Sequence, residues 1–278
     1  MIATTGVTSR SPDIIDEHYY RGPESFENDV HHYDTYKRTG PKIFVGEWAS
    51  QEGFPTPNLH AALGDAAWLI GLERNSDIVI LESYAPLLVN INPGASQWPT
   101  NLIGYDALQS YGSPSYYVQV MFSKHRVVLP TTLTSTGGSK VYASVTRDSR
   151  DGTIYLKVVN AAADPQPLHV NLNGVGEVSH AGTAVILTST TPSASNKPGD
   201  TAKAVPVTER VHSLGRSFDY QFAPFSVTVL QIELETNITG IKYADGAGEA
   251  TYPPAPPSIV VLLGILGKTL RAPSRRFS

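Results

Sequence analysis

Three short segments place carboxylates, a histidine and tyrosines where apolar runs end. They are Asp13-Ile14-Ile15-Asp16-Glu17-His18-Tyr19-Tyr20, Lys42-Ile43-Phe44-Val45-Gly46-Glu47-Trp48 and Leu81-Glu82-Ser83-Tyr84-Ala85-Pro86. In parallel α/β barrels, catalytic groups sit at the C-terminal ends of strands. A carboxylate at one such end, with His and Tyr at its neighbour, suits hydrolysis of a sugar bond. Carboxylates supply the nucleophile and the acid/base, while hydroxyl and aromatic groups hold the sugar and tune the nucleophile. Each candidate also has a plainer reading. A Glu after an apolar run is often only the first solvated residue, so position alone makes Glu47 a modest candidate. His18 reads as readily as a structural histidine, and Glu82 as a supporting neighbour. Glu17 adjoins His18, so strand alternation points it to the opposite face. His31-His32 lack an accompanying cluster of carboxylates or thiolates and read as solvated helix residues. No metal and no cofactor is expected.

The elements that would position these groups follow from the apolar pattern. Ile43-Phe44-Val45 and Ile78-Val79-Ile80-Leu81 are near-continuous apolar runs, as in parallel strands buried on both faces. Between them, Leu59, Leu63, Ala66 and Ile70 recur at helical spacing within residues 58–74. A polar helix is expected over 24–38, stopped by Thr39-Gly40-Pro41, and a third over 107–122, interrupted by Gly112 and Pro114. Strand–helix alternation is the signature of βα units on a parallel sheet. Near residue 123 the pattern changes. Val141 to Thr146, Thr153 to Val159, Leu168 to Leu172 and Phe225 to Ile232 are short strand candidates, with a hairpin turn at Arg150-Asp151-Gly152. This half reads as an antiparallel β-sandwich, and Ser189 to Ala204, rich in Ser, Thr, Pro and Asn, as a long surface loop. Beyond about Thr236 both periods vanish, and Pro253-Pro254-Ala255-Pro256-Pro257 is a stiff punctuator.

Composition sets the outer limits. The 278 residues are 41% hydrophobic and 17% charged, enough for a substantial core. The net charge of −4 comes with no basic block, which argues against a nucleic-acid partner. The absence of cysteine removes disulfides, zinc–thiolate sites and thiol nucleophiles together. The first residues do not read as a signal peptide, and the apolar run Ile259 to Leu266 is too short to span a bilayer, so no membrane partner is expected.

Longer motifs sharpen the reading. Asp16-Glu17-His18-Tyr19-Tyr20, the run from Thr39 to Ala49, the run from Ala61 to Asp77, Ser83 to Asn90, and Tyr111-Gly112-Ser113-Pro114-Ser115-Tyr116-Tyr117 follow one another. With Ala143 to Asp148, Leu156 to Asn160 and Pro224 to Leu230, this series closely resembles the α-L-arabinofuranosidases of glycoside hydrolase family 51 over residues 1–234. The resemblance implies an α/β plus all-β chain: the C-terminal portion of a (β/α)8 barrel, then an antiparallel jelly-roll β-sandwich. Its divisions would be a partial catalytic barrel at 1–122 (about strands five to eight), the sandwich at 123–235, and a disordered or aberrant tail at 236–278.

The resemblance also implies a retaining, exo-acting glycosidase that removes terminal α-L-arabinofuranosyl groups from arabinose-containing oligo- or polysaccharides. Glu47 matches the family nucleophile. His18 and Tyr20 match neighbours of that nucleophile, and Trp98 and Asn101 match a loop closing over the sugar. The family acid/base is a Glu in a Gly-Asn-Glu motif upstream of the His18 motif, and no Gly-Asn-Glu precedes Glu47. The acid/base is therefore expected to be absent, with about half the barrel. The alternative reading is a catalytically inactive remnant, or a β-sandwich that binds carbohydrate or serves a structural role. Tyr142, Tyr155 and Tyr220 form no obvious sugar-stacking row in sequence. Partners would be the arabinofuranosyl saccharide, a second copy of the chain, or a separate upstream fragment supplying the first four strands. Localisation stays open, an extracellular or periplasmic place being compatible with a full-length protein.

Overall fold

The computed structural model describes residues 2–4, 11–124, 128–130, 132–136, 140–148, 150–235 and 260–265. Four strands, β1 (Ile2–Thr4), β2 (Ile14–Arg21), β3 (Lys42–Ser50) and β4 (Val79–Tyr84), form a sheet in that spatial order. Every neighbouring pair is parallel. Helix α1 (Pro23–Asn28) lies between β2 and β3, and α2 (Leu59–Arg74) between β3 and β4. The alternation expected from the apolar runs is thus present.

Helix α2 starts where the sequence predicts. The Asn58 side chain accepts a hydrogen bond from Ala61 N–H and caps the first turn. From Leu59 to Leu72 nearly every residue is buried. A helix apolar on all sides belongs inside a molecule, and α2 has neighbours all round. Gly64 and Gly71, seven residues apart, lie on its face toward α1. A Cβ at Gly64 would meet Pro23 Cα at 2.6 Å, and one at Gly71 would meet the Val30 carbonyl oxygen at 2.5 Å. Glycine in a helix interior costs about 1 kcal/mol against alanine, and here that loss permits backbone-to-backbone packing.

Two helix expectations need correction. The segment expected as one helix over 24–38 is helical only to Asn28 and then runs through turns. Those turns bring His32, Tyr33 and Tyr36 inward. His32 is not solvated: its ring lies 4.7–5.8 Å from those of Tyr19, Tyr33, Tyr36 and Trp68. His31 does face solvent, beside Asp34. The helix expected over 107–122 is α3 (Pro114–Ser123). Before it lies a small sheet of β5 (Leu88–Asn90), β6 (Ile103–Tyr105) and β7 (Ser110–Gly112). Pro114 does not interrupt the helix but opens it, and Ser113 Oγ accepts from Tyr116 N–H.

The second half is all β. One sheet has the order β14 (Val207–His212), β13 (Ala181–Thr188), β16 (Ser226–Ile232), β11 (Ile154–Asn160), β10 (Val141–Asp148) and β8 (Val128–Pro130). The other has the order β15 (Ser217–Phe222), β12 (Gln166–Asn173), β17 (Val260–Ile265) and β9 (Thr132–Thr136). Ile154, Leu156 and Val158 share one apolar core with Leu168, Val170, Phe218 and Phe222 of the second sheet. Tyr155 and Val159, alternating with them, join the core of α2 and α3 instead. The six-stranded sheet is therefore covered on both faces, which is why β11 is buried along its whole length.

Lys157 also points toward the helices. It is fully buried, pairs with Glu73 of α2 and lies over the Phe122 ring at 4.9 Å. Glu73 additionally accepts from Ser144 Oγ at 2.8 Å.

The stretch Ser189 to Ala204 is less superficial than its composition implies. The carbonyls of Ala194 and Pro192 accept from the N–H groups of Leu59 and His60, each at 2.8 Å. They satisfy donors at the start of α2 that have no partner within the helix. Asn196 donates to the Gly112 and Ala204 carbonyls. Within the expected tail, Val260–Ile265 is a strand, antiparallel to β12 and parallel to β9. The rest of 236–278 lies outside the described residues.

Candidate functional site

The site is built at the C-terminal ends of β2, β3 and β4, and a β-bulge sets its geometry. Glu17 pairs with Val45 and His18 with Glu47, so Gly46 is an extra residue in β3. A bulge shifts the side-chain phase of every residue after it. Before it, Ile43 and Val45 face the core; after it, Trp48 does. Glu47 is thereby turned to the open face, beside His18 and Tyr20 of β2. Glycine is required at the bulge by space. A Cβ there would overlap Asp16 Oδ1 outright and would lie 3.0 Å from its carboxyl carbon and 3.2 Å from His18 Nε2.

The Glu47 carboxylate is half-exposed and has two named neighbours. The Tyr20 hydroxyl donates to Glu47 Oε2 at 2.7 Å, and His18 Nδ1 lies 3.7 Å from the same oxygen. Partial burial, then the hydrogen bond and charge of Glu47, push the Tyr20 phenol up to about 12. Tyr20 therefore stays protonated and acts as a donor. His18 Nε2 in turn meets Asp16 Oδ2 at 3.1 Å. Strand alternation places Glu17 on the other face, as expected, where the hydroxyls of Tyr19 and Tyr33 donate to it at 2.7 and 2.9 Å.

Strand β4 supports the site from the far side. Trp48 Nε1 donates to Glu82 Oε2 at 2.8 Å, and Ser83 Oγ donates to the Gly46 carbonyl at 2.6 Å. Burial raises the Glu82 carboxyl, and the Trp48 N–H opposes that rise. Glu82 thus supports the strand that carries Glu47.

A cavity of about 370 Å³ opens above these groups, lined by Tyr20, Glu47, Gln51, Ala85, Pro86, Trp98, Pro99 and Thr100. Trp98, 54% exposed, lines it as an aromatic face. Asn101 does not line it. It is buried, and its amide donates to the carbonyls of Pro55 and Trp98 at 3.2 and 3.0 Å, pinning the segment that carries Trp98. Gln51 and Thr100 are lining residues that the sequence did not single out. Gln51 stands four residues past Glu47 just beyond the end of β3, the one signal that pointed to it. Glu47 is the only carboxylate among the described lining residues. Among the described residues, no helix is long and apolar enough to cross a membrane.

The chain is similar in sequence and fold to known proteins. The family model described as the alpha-L-arabinofuranosidase C-terminal domain matches residues 46–226. Alpha-L-arabinofuranosidase 1 of Arabidopsis thaliana is 36% identical over 59% of this chain and 24% of its own length. Probable alpha-L-arabinofuranosidase A of Aspergillus niger is 32% identical over 78% of this chain and 33% of its own. The chain thus spans a quarter to a third of these relatives. An arabinose-bound family 51 α-L-arabinofuranosidase structure superposes with a TM-score of 0.77 at 35% identity, over 84% of this chain and 40% of that one. The arabinose complex of the Thermotoga maritima enzyme shares the fold, with a TM-score of 0.64 at 19% identity over 80% of this chain and 53% of its own. The family match over most of the chain, and the relatives that agree with it, show that this chain belongs to the family 51 α-L-arabinofuranosidases, of which it carries the C-terminal part.

Proposed function

We propose that Glu47 is the nucleophile of a retaining exo-α-L-arabinofuranosidase, and that the residues described here form the nucleophile half of its active site. The observation that carries this reading is the half-exposed Glu47 carboxylate, turned into the cavity by the Gly46 bulge and held by the Tyr20 hydroxyl. Its oxygen attacks the anomeric carbon of a terminal arabinofuranosyl group as the bond to the leaving oxygen breaks. Water then releases the sugar with retained configuration. Tyr20 and His18 position the carboxylate, and Trp98 offers its face to the furanose. The cavity suits a single terminal sugar of an arabinose-containing saccharide. Asn101 acts on this site through the Trp98 segment.

On this reading the four parallel strands are the last strands of a (β/α)8 barrel, ending near residue 122. The two sheets beyond it are a jelly-roll sandwich to about residue 235. The acid/base would come from a residue other than the described lining residues, since Glu47 is their one carboxylate. A retaining pair needs two carboxyl groups about 5–5.5 Å apart. General acid help is worth on the order of 10²–10⁴-fold, so the chain alone should hydrolyse an aryl α-L-arabinofuranoside very slowly or not at all. Steady turnover near that of a complete enzyme, abolished by Glu47→Ala, would overturn the half-site reading while keeping the nucleophile.

The alternative, a sandwich that binds saccharides by itself, finds no support in its tyrosines. Tyr142 faces Glu27, Tyr155 is buried toward the helices, and Tyr220 packs against Phe222.

A further inference from the structure

Among the described residues, one group of side chains outside the sugar cavity has the spacing of metal ligands. Glu24, Glu52 and His60 each present a ligand atom, all within 4.8 Å of one another. They come from α1, from the segment after β3 and from the first turn of α2. A fourth side chain points into the group. Glu27 lies one turn after Glu24 on α1, so both face the same way. Glu27 is only 4% exposed, and its Oε1 is buried without a hydrogen-bond partner. That oxygen lies 3.9 Å from His60 Nε2, and Glu24 Oε1 lies 3.6 Å from the same nitrogen.

We propose that His60 Nε2, Glu24 and Glu27 form a divalent-cation site suited to zinc, with Glu52 orienting the histidine. Both Nε2-to-oxygen distances are too long for hydrogen bonds. They are close to the edge of a coordination tetrahedron, because ligands ~2.0–2.2 Å from zinc stand roughly 3.4 Å from each other. The other ring nitrogen, Nδ1, lies 3.1 and 3.0 Å from the two oxygens of Glu52. Metal-bound histidines characteristically donate their second N–H to a carboxylate, which fixes the tautomer and aims the free lone pair at the ion. Glu52 is itself held by the Asn58 amide at 2.8 Å.

The buried Glu27 Oε1 has no hydrogen-bond donor, and a cation would satisfy it. Chain order pairs only Glu24 and Glu27, one turn apart on α1; His60 and Glu52 come from other elements. Bound zinc would clip α1 and α2 to the segment after β3, whose residue Gln51 lines the sugar cavity. The inference does not depend on the role of Glu47.

The test is calorimetric titration of zinc chloride into the chelator-stripped chain, with thermal unfolding measured with and without zinc. One saturable site per chain and a zinc-dependent rise in Tm are expected. Both should weaken by about tenfold or more in Glu27→Gln, His60→Ala and Glu24→Gln. Glu24 is 60% exposed, so its substitution leaves the core intact and answers the question even if Glu27→Gln fails to fold. His169→Ala, at a separate His–Asp pair on the sandwich, should bind zinc like the parent. No saturable binding, binding retained by Glu24→Gln and His60→Ala, or binding lost in His169→Ala would overturn the proposal.

Discussion

Gly46→Ala should disturb the site through one identifiable collision. Gly46 lies outside the left-handed region of backbone space, so alanine adds a contact problem and no backbone strain. The new methyl would overlap Asp16 Oδ1, stand 3.0 Å from the Asp16 carboxyl carbon and 3.2 Å from His18 Nε2. Asp16 cannot retreat freely, because its Oδ1 is buried and its Oδ2 holds His18 at 3.1 Å. Relieving the overlap means breaking that contact, and His18 is the group beside Glu47. Overpacking of this size costs about 1–3 kcal/mol. Most of that cost should belong to Asp16, so it can be isolated with a double-mutant cycle. In an Asp16→Ala background only the 3.2 Å contact with His18 remains, and Gly46→Ala should then cost less than ~1 kcal/mol. Urea unfolding midpoints of the four proteins give the coupling. Strictly additive costs would show that the glycine is not there to make room for Asp16, and the account of the bulge would fail.

Two further outcomes follow from buried charges. Glu73→Gln leaves the buried Lys157 with a neutral partner and should destabilise by roughly 3 kcal/mol, whereas Lys157→Met removes the buried charge itself and should cost less; equal losses in urea unfolding would contradict this ordering. Burial pushes the Asp65 carboxyl up to about 7, opposed by the Ser115 side chain nearby and by the Ser50 N–H, which donates to Asp65 Oδ1 at 2.9 Å. The folded state therefore holds a proton that the unfolded chain releases near its ordinary value of 3.8. Stability should fall as pH rises from about 4 to 7 and level off above that. Asp65→Asn should flatten this slope, and an unchanged slope in unfolding free energy against pH would remove Asp65 from the account.

Much of the architecture was legible because it rests on local pattern. The apolar runs at Ile43 and Ile78, and the helix capped by Asn58, announce βα units without any tertiary information. The hairpin at Arg150-Asp151-Gly152 does likewise, and Gly152 does adopt the left-handed conformation such a turn needs. What stayed hidden depends on partners remote in sequence. Strand β14 is almost wholly exposed, so it has no apolar alternation to read. The loop 189–204 looked superficial because its contacts with the helix and strand it packs on are made by the Pro192 and Ala194 carbonyls, at the start of α2, and by the Asn196 amide, on β7. The turns after Asn28 exist to pack His32 and Tyr33 against Trp68, a contact between residues 35 or more positions apart.

The candidate site divides in the same way. Glu47, His18, Tyr20 and Trp98 come together, as their motifs implied. The bulge that aims Glu47 was visible only as a break of phase: apolar residues at 43 and 45, then at 48, across a glycine. Asn101 shows the limit of a motif match, since a side chain in the right segment is spent on holding that segment in place.

The nucleophile assignment is tested most directly by an activated substrate whose leaving group needs no acid. Dinitrophenyl α-L-arabinofuranoside can be attacked by Glu47 while the aryl oxygen departs as the phenolate, taking the bonding electrons. Hydrolysis of the resulting ester requires base help that the described cavity lacks. Incubation with the chain should give a single stoichiometric burst of dinitrophenolate and one anhydroarabinose mass increment on the peptide containing Glu47, both absent in Glu47→Gln. An increment on a different residue, or a burst that survives Glu47→Gln, would contradict the assignment.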